Sequence, residues 1–324
     1  MSDKAGMKSV RIDPVDKDLS IVGLGCWSYG GEWGPQDDAD SLDALRTALE
    51  VGFTHIDTAE AYGRGHSEEL VGRAIAGRRD EVFVATKGFP CWGDLSRACY
   101  ALKIDESLRR LGTDFIDLYY IHWPMTGRDM RPPMEAIVAA QEAGKVGAVG
   151  VSNFTVEEME QVAEVGRIDA HQLCYNLFWR QMERDVIPYC IEHGIAVVTW
   201  STLAEGILTG KFPREPKFPE GDHRRRGLLF EPEVWPHVHK GVERLKALAA
   251  EADVPLAHLA VQWVTRRPGI TSVLVGSRNA EQVRRNAEAM ASEVPDETFE
   301  KITEIGDAVW EKVPEAVNVL RWHP

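Results

Sequence analysis

The chain has 324 residues, 44% of them hydrophobic and 27% charged, a mixture that supports a substantial core and excludes a disordered, collagen-like or coiled-coil chain. Its 51 acidic residues against 37 basic ones leave a net charge of −14, so the far field repels nucleic acid and anionic lipid surfaces. An anionic ligand then needs a local positive site. Five cysteines (Cys26, Cys91, Cys99, Cys174, Cys190) without a C-x-x-C pair suggest neither a disulfide framework nor a zinc knuckle.

The segment Met1–Val10 carries Asp3, Lys4 and Lys8 with no apolar h-region, and no run approaches the ~18 apolar residues of a membrane span. The expectation is a cytoplasmic protein, in which the sequon at Asn153-Phe-Thr155 has no access to glycosylation.

In chain order, Lys8–Ser20, with polar alternation around Asp13-Pro14, predicts a hairpin. Eight short apolar or β-branched runs follow: Ile21–Trp27, Thr54–Thr58, Val82–Lys87, Ile116–Trp123, Ala148–Ser152, Ala170–Tyr175, Ala196–Trp200 and Ser272–Gly276. Between them lie amphipathic stretches with helix punctuation. Asp38 precedes Ala39–Val51, which closes at Gly52; Ser67-Glu68-Glu69 opens a helix ending near Gly77; Asp94–Leu111 ends at Gly112; and Thr155-Val-Glu-Glu158 reads as a capping box.

This alternation predicts an α/β chain folded as a single (β/α)8 TIM barrel over residues 1–324, with the hairpin across its floor. An open doubly wound sheet is the alternative. Its only dinucleotide-type signal, Gly23-Leu-Gly25-Cys-Trp-Ser28, lacks the third glycine and no apolar-periodic helix follows at once. The proline-rich segment Lys211–Trp235, with a Gly221-Asp222 turn signal and Arg224-Arg225-Arg226, is too long for a tight connection and reads either as a lid or as a floppy insertion.

Barrel enzymes place their chemistry at the C-terminal ends of the strands. Asp57 ends the second run, Lys87 the third and His122 stands at the end of the fourth, with Tyr62 in the loop Glu60-Ala-Tyr-Gly63. Singly, these are a rim salt bridge, a surface tyrosine and a surface histidine. Together they suit proton transfer at a carbonyl oxygen: Asp57 holds Lys87 charged, the ammonium lowers the pKa of Tyr62, and a neutral His122 orients the carbonyl.

Gly276-Ser277-Arg278 lies between the eighth run and a helix opening near Asn279, where backbone N–H groups, a hydroxyl and a guanidinium converge as for a phosphate. Trp27, Trp33, Trp92 and Trp123 are the candidate substrate-pocket aromatics, Trp27 and Trp123 best placed by position. Cys91 near the rim is either an oxidation-sensitive thiol or a buried one. His237-Val-His239 reads as a pair of solvated histidines, so no metal is implied.

Five motifs in order, Phe53-Thr-His-Ile-Asp-Thr-Ala-Glu-Ala-Tyr-Gly63, Thr86-Lys87, Asp117-Leu-Tyr-Tyr-Ile-His-Trp-Pro124, Gly147-Ala-Val-Gly-Val-Ser-Asn-Phe154 and Val275-Gly-Ser-Arg-Asn279, resemble those of the aldo-keto reductases. The resemblance runs from Gly23 to Asn286 and is nearer to the bacterial inositol-operon-type and potassium-channel β-subunit-like branches than to aldose reductase. It implies a TIM barrel using NADP(H), with Tyr62 as general acid, Lys87 and Asp57 as its tuning pair and His122 as orienter.

It also implies that Ser152, Asn153 and Gln172 hold the nicotinamide carboxamide, with Trp200 under the ring where the family mostly has tyrosine. Ser201, Thr202, Leu203, Gly206, Leu208 and Lys211 would line the pyrophosphate, Thr202 standing where the family often has proline. Gly276, Ser277 and Arg278 would take the 2′-phosphate, favouring NADP(H) over NAD(H), and Gln282 and Asn286 the adenine. Lys211–Trp235 resembles the loop that folds over bound cofactor, with Arg224, Arg225 and Arg226 adding positive potential without being assigned as ligands.

The expected activity is hydride transfer between nicotinamide and an aldehyde, ketone or sugar carbonyl. The alternative from another class is a cofactor-bound regulatory or interaction subunit with little turnover. A hydrolase or isomerase on the same barrel finds neither a nucleophile–base pair nor a metal in the sequence.

Overall fold

Every one of the eight runs contains a strand, and the strand residues are mostly buried, as in a sheet covered on both faces. The computed structural model describes residues 7–90, 93–316 and 318–320. A two-stranded hairpin, β1 (Ser9–Val10) and β2 (Leu19–Ser20), comes first. Then follow β3 (Val22–Gly25), β4 (His55–Asp57), β5 (Phe83–Gly88), β6 (Ile116–Ile121), β7 (Val146–Ser152), β8 (Ala170–Cys174), β9 (Ala196–Trp200) and β10 (Ile270–Gly276). These eight pair in parallel and close as β10-β3-β4-β5-β6-β7-β8-β9, a (β/α)8 barrel.

Boundaries differ from the sequence expectation where pairing outweighs apolarity. β7 starts at Val146, opposite Ile116, and β10 at Ile270, opposite Val197, although Gly147 and Thr271 interrupt the apolar pattern. β3 stops at Gly25, and Trp27–Gly30 forms a 3-10 turn instead of extending the strand. The helices are α1 (Asp38–Glu50), α2 (His66–Ile75), α3 (Arg97–Leu111), α4 (Arg131–Glu142), α5 (Val156–Ala163), α6 (Val186–His193), α7 (Trp235–Glu251), α8 (Leu256–Thr265), α9 (Ala280–Ala287) and α10 (Asp296–Trp310).

Caps set their starts. Asp37, not Asp38, caps α1 by accepting from the Ala39 N–H, and Ser96 caps α3 while Asp94 accepts from the Ser96 N–H one turn earlier. The α5 capping box of Thr155 and Glu158 forms in both directions.

The barrel interior is a core of its own, separate from the apolar shell between strands and helices. Ile12, Val15 and Leu19 of the hairpin segment enter it beside Phe83, Leu118, Tyr120 and Leu274. Buried Asp117 anchors this floor, with Lys17 at 2.8 Å and Arg79 at 2.6 Å, and accepts the Val84 N–H at 2.8 Å. The closed floor directs any ligand to the opposite end of the barrel.

Lys211–Trp235 is packed rather than floppy. Phe218 and Trp235 each lie within 5.2 Å of Phe230, ring centre to ring centre, and the Trp235 indole donates to the Arg214 carbonyl at 2.8 Å. No helix among the described residues is long and apolar enough to cross a membrane.

Two histidines in the barrel wall are held neutral. Burial pushes the pKa of His55 and of His171 down to about 3, and His171 Nε2 accepts the Phe154 N–H at 3.1 Å, a bond that protonation would remove. An unfolded histidine titrates near 6.5, so below that pH the unfolded chain binds the extra proton and stability falls as pH drops toward the folded value. Replacing His171 by Gln, which retains an acceptor, is expected to flatten the slope of unfolding free energy against pH by about 1.4 kcal/mol per unit below about pH 6. Urea denaturation at several pH values measures it, and equal slopes would contradict the neutral assignment.

Candidate active site

The three adjacent strands β4, β5 and β6 end in Asp57, Lys87 and, one residue beyond the strand, His122, while Tyr62 opens the 3-10 turn Tyr62–Gly65 after β4. The structure brings all four together. Lys87 Nζ donates to Asp57 Oδ1 at 2.5 Å and to the Thr58 carbonyl at 2.8 Å, and lies 3.4 Å from the Tyr62 hydroxyl. Gln172 of β8 donates its amide N–H to the other carboxylate oxygen, Asp57 Oδ2, at 2.7 Å. Burial pushes the Asp57 carboxyl up and the Lys87 ammonium down, and each opposes the other's shift.

For Tyr62 the expectation of a lowered pKa reverses. Burial, followed by the negative fields of Asp57, Glu32 and Cys26, holds it well above the ordinary tyrosine value. The hydroxyl therefore carries its proton at neutral pH. Burial first, and Lys87 second, pushes His122 well below its ordinary pKa, so the imidazole is neutral. Its ring meets Tyr62 edge-on at 5.7 Å, and its buried Nδ1 has no hydrogen-bond partner among the described residues.

The residues expected around the nicotinamide also converge. Asn153, at φ 64°, donates to the His122 carbonyl at 3.1 Å and to Ser152 Oγ at 2.9 Å, and accepts from the Trp200 indole N–H at 3.0 Å. Thr202, in the expected proline position, is buried with its hydroxyl 3.3 Å from that of Thr199. Ser201 and Gly206 take left-handed backbone, at φ 57° and 89°, around Leu203 and the buried Leu208. Lys211 is pushed down by burial and then by the positive fields of Arg224 and Arg278, so two cations of the 211–235 segment and one after β10 gather here. Arg224, unassigned from sequence, is paired to Asp222 at 2.6 Å and lies over the rings of Trp33 and Phe218, while Arg225 and Arg226 are exposed.

At the far end Gly276 closes β10, Ser277 is buried and accepts from Asn286 at 3.0 Å, and Gln282 accepts the Arg278 backbone N–H at 2.9 Å. The Arg278 guanidinium reaches Gln36 Oε1 at 2.8 Å and the carbonyls of Trp33 and Pro35. A cleft of about 270 Å³ opens there, lined by Arg278, Asn279, Gln282, Gln36 and Asp40 among others.

Trp27 is the hub of the mouth, with Trp33 at 5.0 Å, Tyr62 stacked at 6.3 Å and Trp200 at 6.5 Å. Trp123 is buried; Cys91 and Trp92 lie outside the described residues. Sequence reasoning missed Glu32, whose carboxylate meets the Tyr62 turn, and His223, whose ring meets Trp27 at 5.1 Å. Neither sits at a strand end, the only positional signal available. No cluster of three potential metal-binding groups occurs among the described residues; His237 is exposed, as expected, and His239 packs on Trp235.

The family model described as "Aldo/keto reductase family" matches residues 21–307. Aldo-keto reductase YhdN of Bacillus subtilis is 37% identical over 292 residues, 87% of this chain and 88% of that one. The NADH-specific methylglyoxal reductase of Escherichia coli is 30% identical over 326 residues, 94% of this chain and 99% of that one. Among solved structures, a glycerol dehydrogenase of Gluconobacter oxydans has a TM-score of 0.83 at 33% identity, covering 92% of this chain and 94% of its own. An aldo/keto reductase of Klebsiella pneumoniae in complex with NADP and acetate has a TM-score of 0.74 at 27% identity, covering 92% and 95%.

The electrostatics of this rim predict that the His122 imidazole shows no titration through neutral pH when its ring nitrogens are followed by NMR. A midpoint near the ordinary value of about 6.5 would mean that the ring is solvated or that Lys87 is uncharged.

Proposed function

The chain belongs to the aldo/keto reductase family, and from that premise we propose that it is an NADP(H)-dependent oxidoreductase interconverting a small carbonyl compound and its alcohol, with Tyr62 as the proton donor. The observation that carries this reading is the Tyr62 hydroxyl 3.4 Å from an ammonium that Asp57 holds in place. A methylglyoxal reductase and a glycerol dehydrogenase among its relatives are named for the same class of reaction.

The side chains fit the cofactor, consistent with the NADP-bound neighbour. Ser152, Asn153 and Gln172 would hold the carboxamide, and Trp200 would face the ring. Ser201, Thr202, Leu203, Gly206, Leu208 and Lys211 would border the pyrophosphate. Gly276, Ser277 and Arg278 would take the 2′-phosphate, and Gln282 and Asn286 the adenine. In a chain of net charge −14, the gathering of Lys211, Arg224 and Arg278 is the local positive site that a phosphorylated ligand requires. When bound, the reduced nicotinamide supplies the hydride that adds to the carbonyl carbon.

The protein's part is to place and protonate the carbonyl oxygen. Neutral His122 orients it without competing as a charge, and Tyr62 passes its proton to it. The tyrosinate left behind faces the Lys87 ammonium, which is favourable only at that moment because the ground-state hydroxyl is neutral. Trp27, Trp33 and Trp200 exclude water from the mouth. The raised pKa of Tyr62 keeps the donor form populated through neutral pH, so reduction is insensitive to pH there while alcohol oxidation, which needs the deprotonated form, rises with pH.

Tyr62→Phe is expected to lower kcat for NADPH-dependent reduction of an aromatic aldehyde by about 10²- to 10⁴-fold, while quenching of protein fluorescence shows NADPH still bound. A loss below about tenfold would exclude Tyr62 as the acid.

A further inference from the structure

We propose that Glu32, in the loop between β3 and α1, is a positioning residue for the Tyr62 turn, which it holds through the backbone of Gly63. The proposal rests on the reading of Tyr62 as proton donor.

Glu32 Oε1 accepts the Gly63 N–H at 2.9 Å. Gly63 directly follows Tyr62, and both it and Arg64 adopt left-handed backbone, at φ 58° and 56°, so the turn does not continue as a helix. A buried N–H in such a turn needs a partner from elsewhere in the chain. The two loops also meet backbone to backbone: a Cβ on Gly63 would lie 2.9 Å from the Gly30 Cα, and one on Gly30 would fall 2.4 Å from the Gly63 nitrogen and 2.3 Å from Glu32 Oε2. The contact thus needs glycine on both sides and leaves the carboxylate wedged between them.

The other end of this loop is fixed independently. Arg278 holds the carbonyls of Trp33 and Pro35, and Gln36 returns a bond to the Arg278 carbonyl at 2.8 Å. Residues 32–36 therefore form a strap anchored at Gly63 on one side and after β10 on the other.

Glu32 Oε2 is buried and has no hydrogen-bond partner among the described residues. A half-satisfied carboxylate destabilises a loop unless its position serves something else. Beside Tyr62, it also joins the field on the phenol. Around the phenol stand Cys26 after β3, Asp57 from β4, Lys87 from β5, neutral His122 after β6, and Glu32 from the strap; His223 approaches only through Trp27.

The test uses the whole enzyme with NADPH, an aromatic aldehyde for reduction and the corresponding alcohol with NADP+ for oxidation. Glu32→Ala is expected to lower kcat of reduction by about ten- to a hundredfold through misplacement of Tyr62, with a smaller change in KM. Glu32→Gln, which keeps the acceptor for Gly63 N–H, recovers most of that loss. In both variants the alkaline rise of the oxidation rate moves to lower pH, because a negative neighbour of the phenol is gone.

In a Tyr62→Phe background, Glu32→Ala has little further effect, the non-additivity expected of a residue acting through another. Equal slowing with and without Tyr62, or an unmoved pH profile in Glu32→Gln, overturns the proposal. Should Glu32→Ala not fold, the pH profile of Glu32→Gln decides. If Tyr62→Phe alone turns over like the parent enzyme, the reading of Tyr62 fails and takes the proposal with it.

Discussion

The ion pair of Lys87 with Asp57 is the interaction on which the rim depends. Both groups are buried, and each desolvated charge costs several kcal/mol unless a close partner offsets it. Close partners offset part of that cost: Lys87 Nζ is shared among Asp57, the Thr58 carbonyl and Tyr62, and the second Asp57 oxygen takes the Gln172 amide. One pair thereby links β4, β5, β8 and the Tyr62 turn. It also sets the charge states around it, since the ammonium helps to keep His122 neutral.

The barrel confines this arrangement to one end. At the other end Asp117 pins the hairpin segment with Lys17 and Arg79, and Ile12, Val15 and Leu19 fill the interior. Stability devices thus lie at the floor and reactive groups at the mouth, the division that (β/α)8 architecture allows because its loops vary without disturbing the strands. Two long segments exploit it. The strap after β3 reaches from Gly63 to Arg278, and the segment after β9 brings Arg224 and His223 over the rings of Trp33 and Trp27.

Much of this is legible along the chain. Asp57, Lys87 and His122 stand at or beside the ends of apolar runs, and their convergence follows from counting strands. The expectation of carbonyl chemistry comes from that convergence and from the motif resemblance. Less legible are groups in irregular loops, such as Glu32, Gln36 and His223, which no periodicity marks.

Local features are legible along the chain: short apolar or β-branched stretches for the strands, the hairpin ahead of them, the Thr155 to Glu158 capping box, and which titratable residues end which strands. Those features depend on neighbours a few residues away. Partnerships across the barrel depend on closure: Gln172 meets Asp57 across 115 residues of chain, and Arg278 meets Gln36 across 242. The protonation of Tyr62 belongs to the same category. An adjacent lysine suggests a lowered pKa, but desolvation sums over every group that surrounds the phenol, and only the closed barrel with its strap in place sets that sum.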